Sequence, residues 1–176
     1  LVQVINTDPA CAWLTSYIET ALLRAVWYPT TVATVSWSCK QIVRRYLAET
    51  ADSQEALPFK LHDFGARGAS SEEASAIGGL AHLVNFMGTD NLSAIVAGRR
   101  YYGETMAGFS IPAAEHSTIT SWGRENELAA YRNMLKQFGK PKALFAVVSD
   151  SYNLWDAIKM WGTDLKDALI ASGATL

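Results

Sequence analysis

A lone histidine, His116, sits in Ile111-Pro-Ala-Ala-Glu-His-Ser-Thr118, where an apolar strand is expected to hand over to a helix. Phe109-Ser-Ile111 has strand character and Pro112 removes a ladder donor. From Glu115 to Phe138, Ile119, Trp122, Leu128, Tyr131 and Leu135 follow at helix-compatible spacing. A histidine near a helix N-terminus meets unpaired N–H groups and the positive end of the macrodipole. The expectation is therefore a neutral, nucleophilic imidazole with an anionic group beside it. The competing reading is a capping or core-edge histidine.

Asp63, Asp90, His116 and Asp150 each follow an apolar stretch and lie 27, 26 and 34 residues apart, close to the length of one βα unit. Right-handed βα units in a parallel sheet bring their strand C-termini to one edge, so four loops would converge on one site. Helix capping is the alternative for the three aspartates. The loop after the first of these strands, His62-Asp-Phe-Gly-Ala-Arg-Gly68, combines an aromatic face, a fixed cation and glycines that permit close approach. Phe64 and Arg67 thus point to a flat, anionic ligand, against the plainer reading of a core plug and a cation paired with Glu72 or Glu73. Asp90, in Gly88-Thr-Asp90, offers a carboxylate that accepts from an amide or hydroxyl donor and repels an acid. His62 and His82 read as structural or tunnel-lining residues.

The elements that must position these groups start with Leu1–Ile5, read as a strand, and Asn6-Thr-Asp-Pro9, where Asp8 can cap and Pro9 can occupy the first helical position. Leu14, Tyr17, Ile18, Ala21, Leu22 and Ala25 then form one apolar helix face, which Tyr28-Pro29 is expected to end. A second amphipathic helix is expected over Ser36–Leu47, with Ala51–Pro58 a polar connection. Strands are expected at Phe59–Leu61, Leu83–Phe86, Phe109–Ile111 and Ala143–Val148, the last an uninterrupted apolar run typical of a buried parallel strand. A capping box of Ser70 and Glu73 would start the helix after the first strand, a helix with Leu92, Ile95 and Val96 follows the second, and one with Trp155, Ile158 and Leu165 follows the fourth. Gly173 reads as the residue just past the last helix. The fold class is therefore α/β. Residues 1–58 are a strand and helical segment with two amphipathic helices, and residues 59–176 are successive βα units.

A chain of 176 residues, 49% hydrophobic and 18% charged, can bury a core, and a net charge of −2 without a Lys or Arg run argues against nucleic-acid or membrane-surface partners. Cys11 and Cys39 are too few for a disulfide framework, and three histidines without ligand spacing predict no metal site. No apolar run approaches the ~20 residues of a membrane span. A reducing cytoplasm is expected. An opening without methionine and a stop at Leu176 lead to the expectation of a fragment that continues beyond residue 176.

Several segments together carry a resemblance: Asn6-Thr-Asp-Pro9, Trp13-Leu14, Ile18-Glu-Thr20, Tyr28-Pro29, Lys60-Leu-His-Asp-Phe-Gly65, Arg67-Gly68, Gly88-Thr-Asp90, Pro112-Ala-Ala-Glu-His-Ser-Thr118 and Val148-Ser-Asp-Ser-Tyr152. In this order, over nearly the whole chain, they resemble the nicotinamide phosphoribosyltransferase family of type II phosphoribosyltransferases. The resemblance implies that residues 59–176 belong to an irregular (β/α) barrel. It also implies transfer of phosphoribose from phosphoribosyl pyrophosphate to nicotinamide, giving the mononucleotide and pyrophosphate, with Mg²⁺ and ATP as helpers and a homodimer as the assembly. By the same resemblance Phe64 stacks on nicotinamide, Arg67 lies beside ring and phosphate, and Asp90 accepts from the carboxamide. His116 takes a phosphoryl group from ATP, Asp150 stands near ribose and Mg²⁺, and Ser110, Ile111 and His62 line the entry tunnel. The family's partner-subunit tyrosine, Arg-Pro-Asp-Ser-Gly motif and glycine-rich phosphate loops do not occur here. The segment alone is therefore expected to be inactive. A nicotinate-using relative and a non-catalytic half-barrel binding module are the competing functions.

Overall fold

The computed structural model describes residues 2–176. Two compact units form, residues 1–110 and 111–176. In the first unit, Asp8 accepts from the Ala10 N–H and caps a 3₁₀ turn at Pro9–Cys11, as its place before a proline predicts. Val2–Ile5, expected as strand, has no regular structure, and Leu1 of that expected strand lies outside the described residues.

Leu14–Thr50 is one continuous helix, α1, with Pro29 inside it, so the two amphipathic helices expected here are a single 37-residue element. An interior proline costs about 3 kcal/mol by removing one donor and crowding the preceding turn. Tertiary anchors on both sides of Pro29 offset that cost. The Tyr28 ring lies against Gly78, where an added Cβ would come within 2.4 Å of its hydroxyl. Beyond the proline, Asn85 Nδ2 donates to the Ala33 carbonyl at 2.9 Å and Lys40 Nζ donates to the Asn85 carbonyl at 2.5 Å.

After α1 the chain enters β1 (His62–Asp63), a 3₁₀ turn (Gly65–Gly68), α2 (Glu72–His82), β2 (Gly88–Thr89) and α3 (Leu92–Tyr102). β1 and β2 pair in parallel, His62 with Gly88 and Asp63 with Thr89, and Phe109 continues the pattern through a parallel bridge to Gly88. Successive βα units are thus present, but the strands are short and displaced from the expected positions. Phe59 belongs to a 3₁₀ turn, Leu57–Phe59, and Leu83–Phe86 closes the end of α2, with the Phe86 N–H donating to the His82 carbonyl. Phe86 is apolar because it is fully buried at a helix end, where it joins Leu57, Ala81, Ala94 and Ala97 in this unit's core. The cap of α2 is Ser71, which accepts from the Ala74 N–H, and not Ser70.

In the second unit parallel bridges join Ala113 to Ala146 and Leu144 to Thr175, so the apolar run 143–148 pairs at isolated points and forms no continuous strand. The helix expected over 115–138 is two, α4 (His116–Thr120) and α5 (Glu127–Phe138), separated by Gly123 at φ 81° and a 3₁₀ turn. A positive φ breaks a right-handed helix, and glycine adopts it without a Cβ clash. α6 (Leu154–Gly162) and α7 (Lys166–Ser172) complete the unit, with Gly173 left-handed after α7, as expected. Leu165 precedes α7 instead of lying on α6; it packs with Ile119, Ala130, Tyr131 and Ala157 in this unit's core, whereas Trp155 and Ile158 are exposed. Helix predominates, and among the described residues the only sheet is the two-stranded pair β1–β2. No helix among them is long and apolar enough to cross a membrane.

Candidate active site

In the first unit Asp90 is the centre of a hydrogen-bonded group. Its Oδ1 accepts from Ser110 Oγ at 2.5 Å and from His62 Nε2 at 2.9 Å. A carboxylate only accepts, so its hydrogen bond assigns the proton of a neutral His62 ring to Nε2. Both donors use Oδ1, which leaves Oδ2 for an incoming N–H. Burial on its own raises the Asp90 carboxyl, but the hydrogen bonds from Ser110 and His62 and the attraction of His62 outweigh it, and the group is held below the ordinary aspartate range. The Asp90 side chain is 38% exposed and that of His62 11%, so the carboxylate remains within reach of a ligand.

The helix-capping alternative for Asp90 fails, because Asn91 caps α3 by accepting from the Ala94 N–H. Asn91 is a residue the sequence reading missed. Buried at 2% exposure, it donates to Asp63 Oδ2 and the Ser75 carbonyl and accepts from Ser75 Oγ. Its only sequence signal was an Asn directly before an apolar helical stretch. Asp63 is structural: its Oδ1 accepts from the Gly65 N–H and its Oδ2 holds Asn91, which fixes the turn carrying Arg67. Phe64 is half exposed, with its ring stacked on His62 at 4.4 Å between centroids, so one aromatic edge of the site is open to solvent and is no core plug. Arg67 lies exposed in the Gly65–Gly68 turn. His82, expected as structural or tunnel-lining, is buried with its Nε2 meeting the Gly88 carbonyl at 3.0 Å, a structural role.

The second unit holds the other expected residues. His116 is the first residue of α4, and its Nε2 meets Asp150 Oδ1 at 3.0 Å. Asp150 is not a helix cap either, since Asn153 caps α6. The expected anionic group beside His116 is present as a protein carboxylate, that of Asp150. Glu115 caps α4 in a reciprocal box with Thr118, its carboxylate accepting from the Ser117 N–H and hydroxyl. The N-terminal N–H groups of this five-residue helix are therefore engaged by Glu115. What sets the His116 tautomer is Asp150: the proton belongs on Nε2, so Nδ1 of a neutral ring carries the free lone pair. The two side chains are 59% and 65% exposed, so this contact orients the ring and adds little stability. Ile111 begins the unit, half-buried.

Beneath this pair lies Tyr131, fully buried, donating to the buried Glu127 carboxylate at 2.7 Å and stacked on Trp161. Trp161 Nε1 donates to Ser149 Oγ, the residue before Asp150. Burial, reinforced by Glu127, pushes the Tyr131 hydroxyl well above the ordinary tyrosine value. Among the described residues no three His, Cys, Asp or Glu side chains come together as a metal cluster.

The chain is also similar to known proteins over its whole length. A protein called nicotinamide phosphoribosyltransferase in Xanthomonas campestris is 62% identical over this whole chain, which spans 38% of that protein. Proteins of the same name in Acinetobacter baylyi and Mycoplasma pneumoniae are 34% and 36% identical over 97% of the chain, which spans 34% and 36% of them. The chain thus spans little more than a third of the length of these curated relatives. A family model described as nicotinate phosphoribosyltransferase (NAPRTase) matches residues 59–176, about two thirds of the chain. With β1, β2, both histidine–aspartate pairs and Phe64 all inside the matched region, the chain belongs to the nicotinate phosphoribosyltransferase family.

Proposed function

We propose that this chain is the part of a nicotinamide phosphoribosyltransferase that recognises nicotinamide and carries the ATP-responsive histidine, within a barrel to which its parallel βα units contribute. The observation that carries the reading is the Asp90 group. An ionised carboxylate with Oδ1 held by His62 and Ser110 presents Oδ2 to the –NH₂ of an amide, and it repels the –COO⁻ of nicotinate. Phe64 supplies a face for the pyridine ring and Arg67 a cation for phosphate, while Ser110 and His62 form the entry wall. The product is nicotinamide mononucleotide, with pyrophosphate released from phosphoribosyl pyrophosphate.

At the second pair, Nδ1 of His116 is the nitrogen available to attack the γ-phosphorus of ATP, with ADP leaving and Asp150 stabilising the charged ring through Nε2–H. A lone carboxylate such as Asp150 suits Mg²⁺, which keeps most of its waters and binds chiefly through phosphates. Bound there, Mg²⁺ would neutralise phosphate charge. The exposed aromatic residues Tyr17, Trp27 and Trp37 along α1, with Trp13 just before it, support burial against further polypeptide, in keeping with a homodimeric protein, and free Cys11 and Cys39 support a reducing cytoplasm.

The test is the complete protein carrying this sequence, supplied with phosphoribosyl pyrophosphate, Mg²⁺ and ATP and with nicotinamide or nicotinate in turn. The expected result is mononucleotide from nicotinamide with a higher kcat/KM than from nicotinate. A preference for nicotinate would favour the acid-using relative, and no product from either would leave a binding module.

A further inference from the structure

We propose that His62 is the positioning residue that sets the preference for an amide, by orienting Asp90 and Phe64 together; this rests on the reading of Asp90 as the carboxamide acceptor. His62 touches both Asp90 and Phe64, two groups expected to meet the ligand. Its Nε2 donates to Asp90 Oδ1 at 2.9 Å, and its ring face lies on Phe64 at 4.4 Å with 26° between planes. Its backbone is pinned by the parallel pairing of β1 with Gly88. Its other nitrogen, Nδ1, occupies the space a side chain at Gly88 would need, since an added Cβ would stand 2.7 Å from it. The ring is therefore held on three sides, by Gly88, Phe64 and Asp90, and has little freedom to tilt.

Ser110 also donates to Oδ1, but one hydrogen bond leaves the carboxylate free to rotate about that contact, and two donors on the same oxygen fix which oxygen faces outward. A rigid acceptor recognises the amide with less ordering cost on binding, and its orientation keeps the negative charge aimed at the ring substituent. Loss of His62 should thus weaken nicotinamide binding and relax discrimination against nicotinate, with the chemical step little affected.

The experiment is steady-state kinetics of the complete protein with His62→Leu, His62→Gln, Asp90→Ser and the His62→Leu/Asp90→Ser double variant, each checked for folding by circular dichroism. His62→Leu is expected to raise KM for nicotinamide about tenfold and to lower the amide-to-acid ratio of kcat/KM by a similar factor, with kcat within about threefold. His62→Gln keeps an N–H donor and should recover most of both effects. In the Asp90→Ser background, His62→Leu should move the ratio by less than about twofold, because the residue it acts through is gone. If the leucine variant does not fold, His62→Asn, too short to reach Asp90, takes its place. An unchanged ratio in folded His62→Leu, an equal shift in both backgrounds, or a glutamine variant as impaired as the leucine one would each overturn the proposal. If the unsubstituted protein makes mononucleotide from nicotinamide and Asp90→Ser alters the ratio while His62→Leu does not, only the role of His62 fails and the Asp90 reading stands.

Discussion

Replacing Asp90 by serine tests the substrate assignment most directly, and the structure allows its size to be worked out. A hydrogen bond to an ionised group contributes about 1.5–3 kcal/mol when buried. The Asp90 side chain is 38% exposed, so about 1 kcal/mol is a fairer figure for the amide contact. Nicotinate would place a second negative charge about 4 Å away; the Coulomb cost of about 4 kcal/mol at an effective dielectric near 20 falls to about 1–2 kcal/mol with solvent and salt screening. Together these give about 2–3 kcal/mol of discrimination, or about 30- to 150-fold in the ratio of kcat/KM values. Asp90→Ser should remove most of it. Because Asn91 caps α3, the serine does not uncap the helix, and stability should change little. Asp90→Asn separates the two contributions by keeping an acceptor without the charge, and should shift the ratio by only about tenfold. The assay is initial-rate kinetics with both substrates on the complete protein. A ratio unchanged within about threefold, in a folded and active Asp90→Ser variant, would place amide selectivity elsewhere.

Four further outcomes are expected. His116→Ala should abolish an acid-labile phosphate detectable by mass spectrometry under alkaline conditions during ATP turnover, and Asp150→Asn, which no longer holds the proton on Nε2, should reduce it at least about tenfold; no label on the unsubstituted protein would make His116 structural. Gly79→Ala should lower Tm by about 4 °C or more despite alanine's better helix propensity, because the new Cβ would lie 2.4 Å from Asn91 Nδ2 and 2.7 Å from the Ala94 Cβ, and Asn91 is held by Asp63 and Ser75. Tyr131 has its hydroxyl raised in the folded state, so its stabilisation is complete below the unfolded tyrosine value of about 10 and declines as pH rises through the folded value. Tyr131→Phe should therefore flatten that alkaline decline in urea melts, while costing about 1–3 kcal/mol at pH 7 by leaving the buried Glu127 without its donor. Finally, the 176-residue segment by itself should form no mononucleotide, since it spans only 38% of the length of its Xanthomonas campestris relative; product from it would refute that expectation.

Local signals in the sequence determined the cap at Asp8, the left-handed Gly173, the helix beginning after Asp90 and the placing of polar residues after apolar segments, because each depends on a few neighbouring residues. They also indicated parallel βα succession, though not the strands themselves: apolar residues at Leu83–Phe86 pack a helix end as readily as a sheet, and periodicity does not separate the two. Only tertiary structure decided that Pro29 lies inside a helix, since the contacts offsetting its lost hydrogen bond come from Gly78 and Asn85, some fifty residues on. Only tertiary structure, too, separated the aspartates. Asp63 became a scaffold for Asn91, whereas Asp90 and Asp150 became histidine partners, 28 and 34 residues from His62 and His116. A carboxylate's role is set by the donors folding brings to it, and those donors lie far away in sequence.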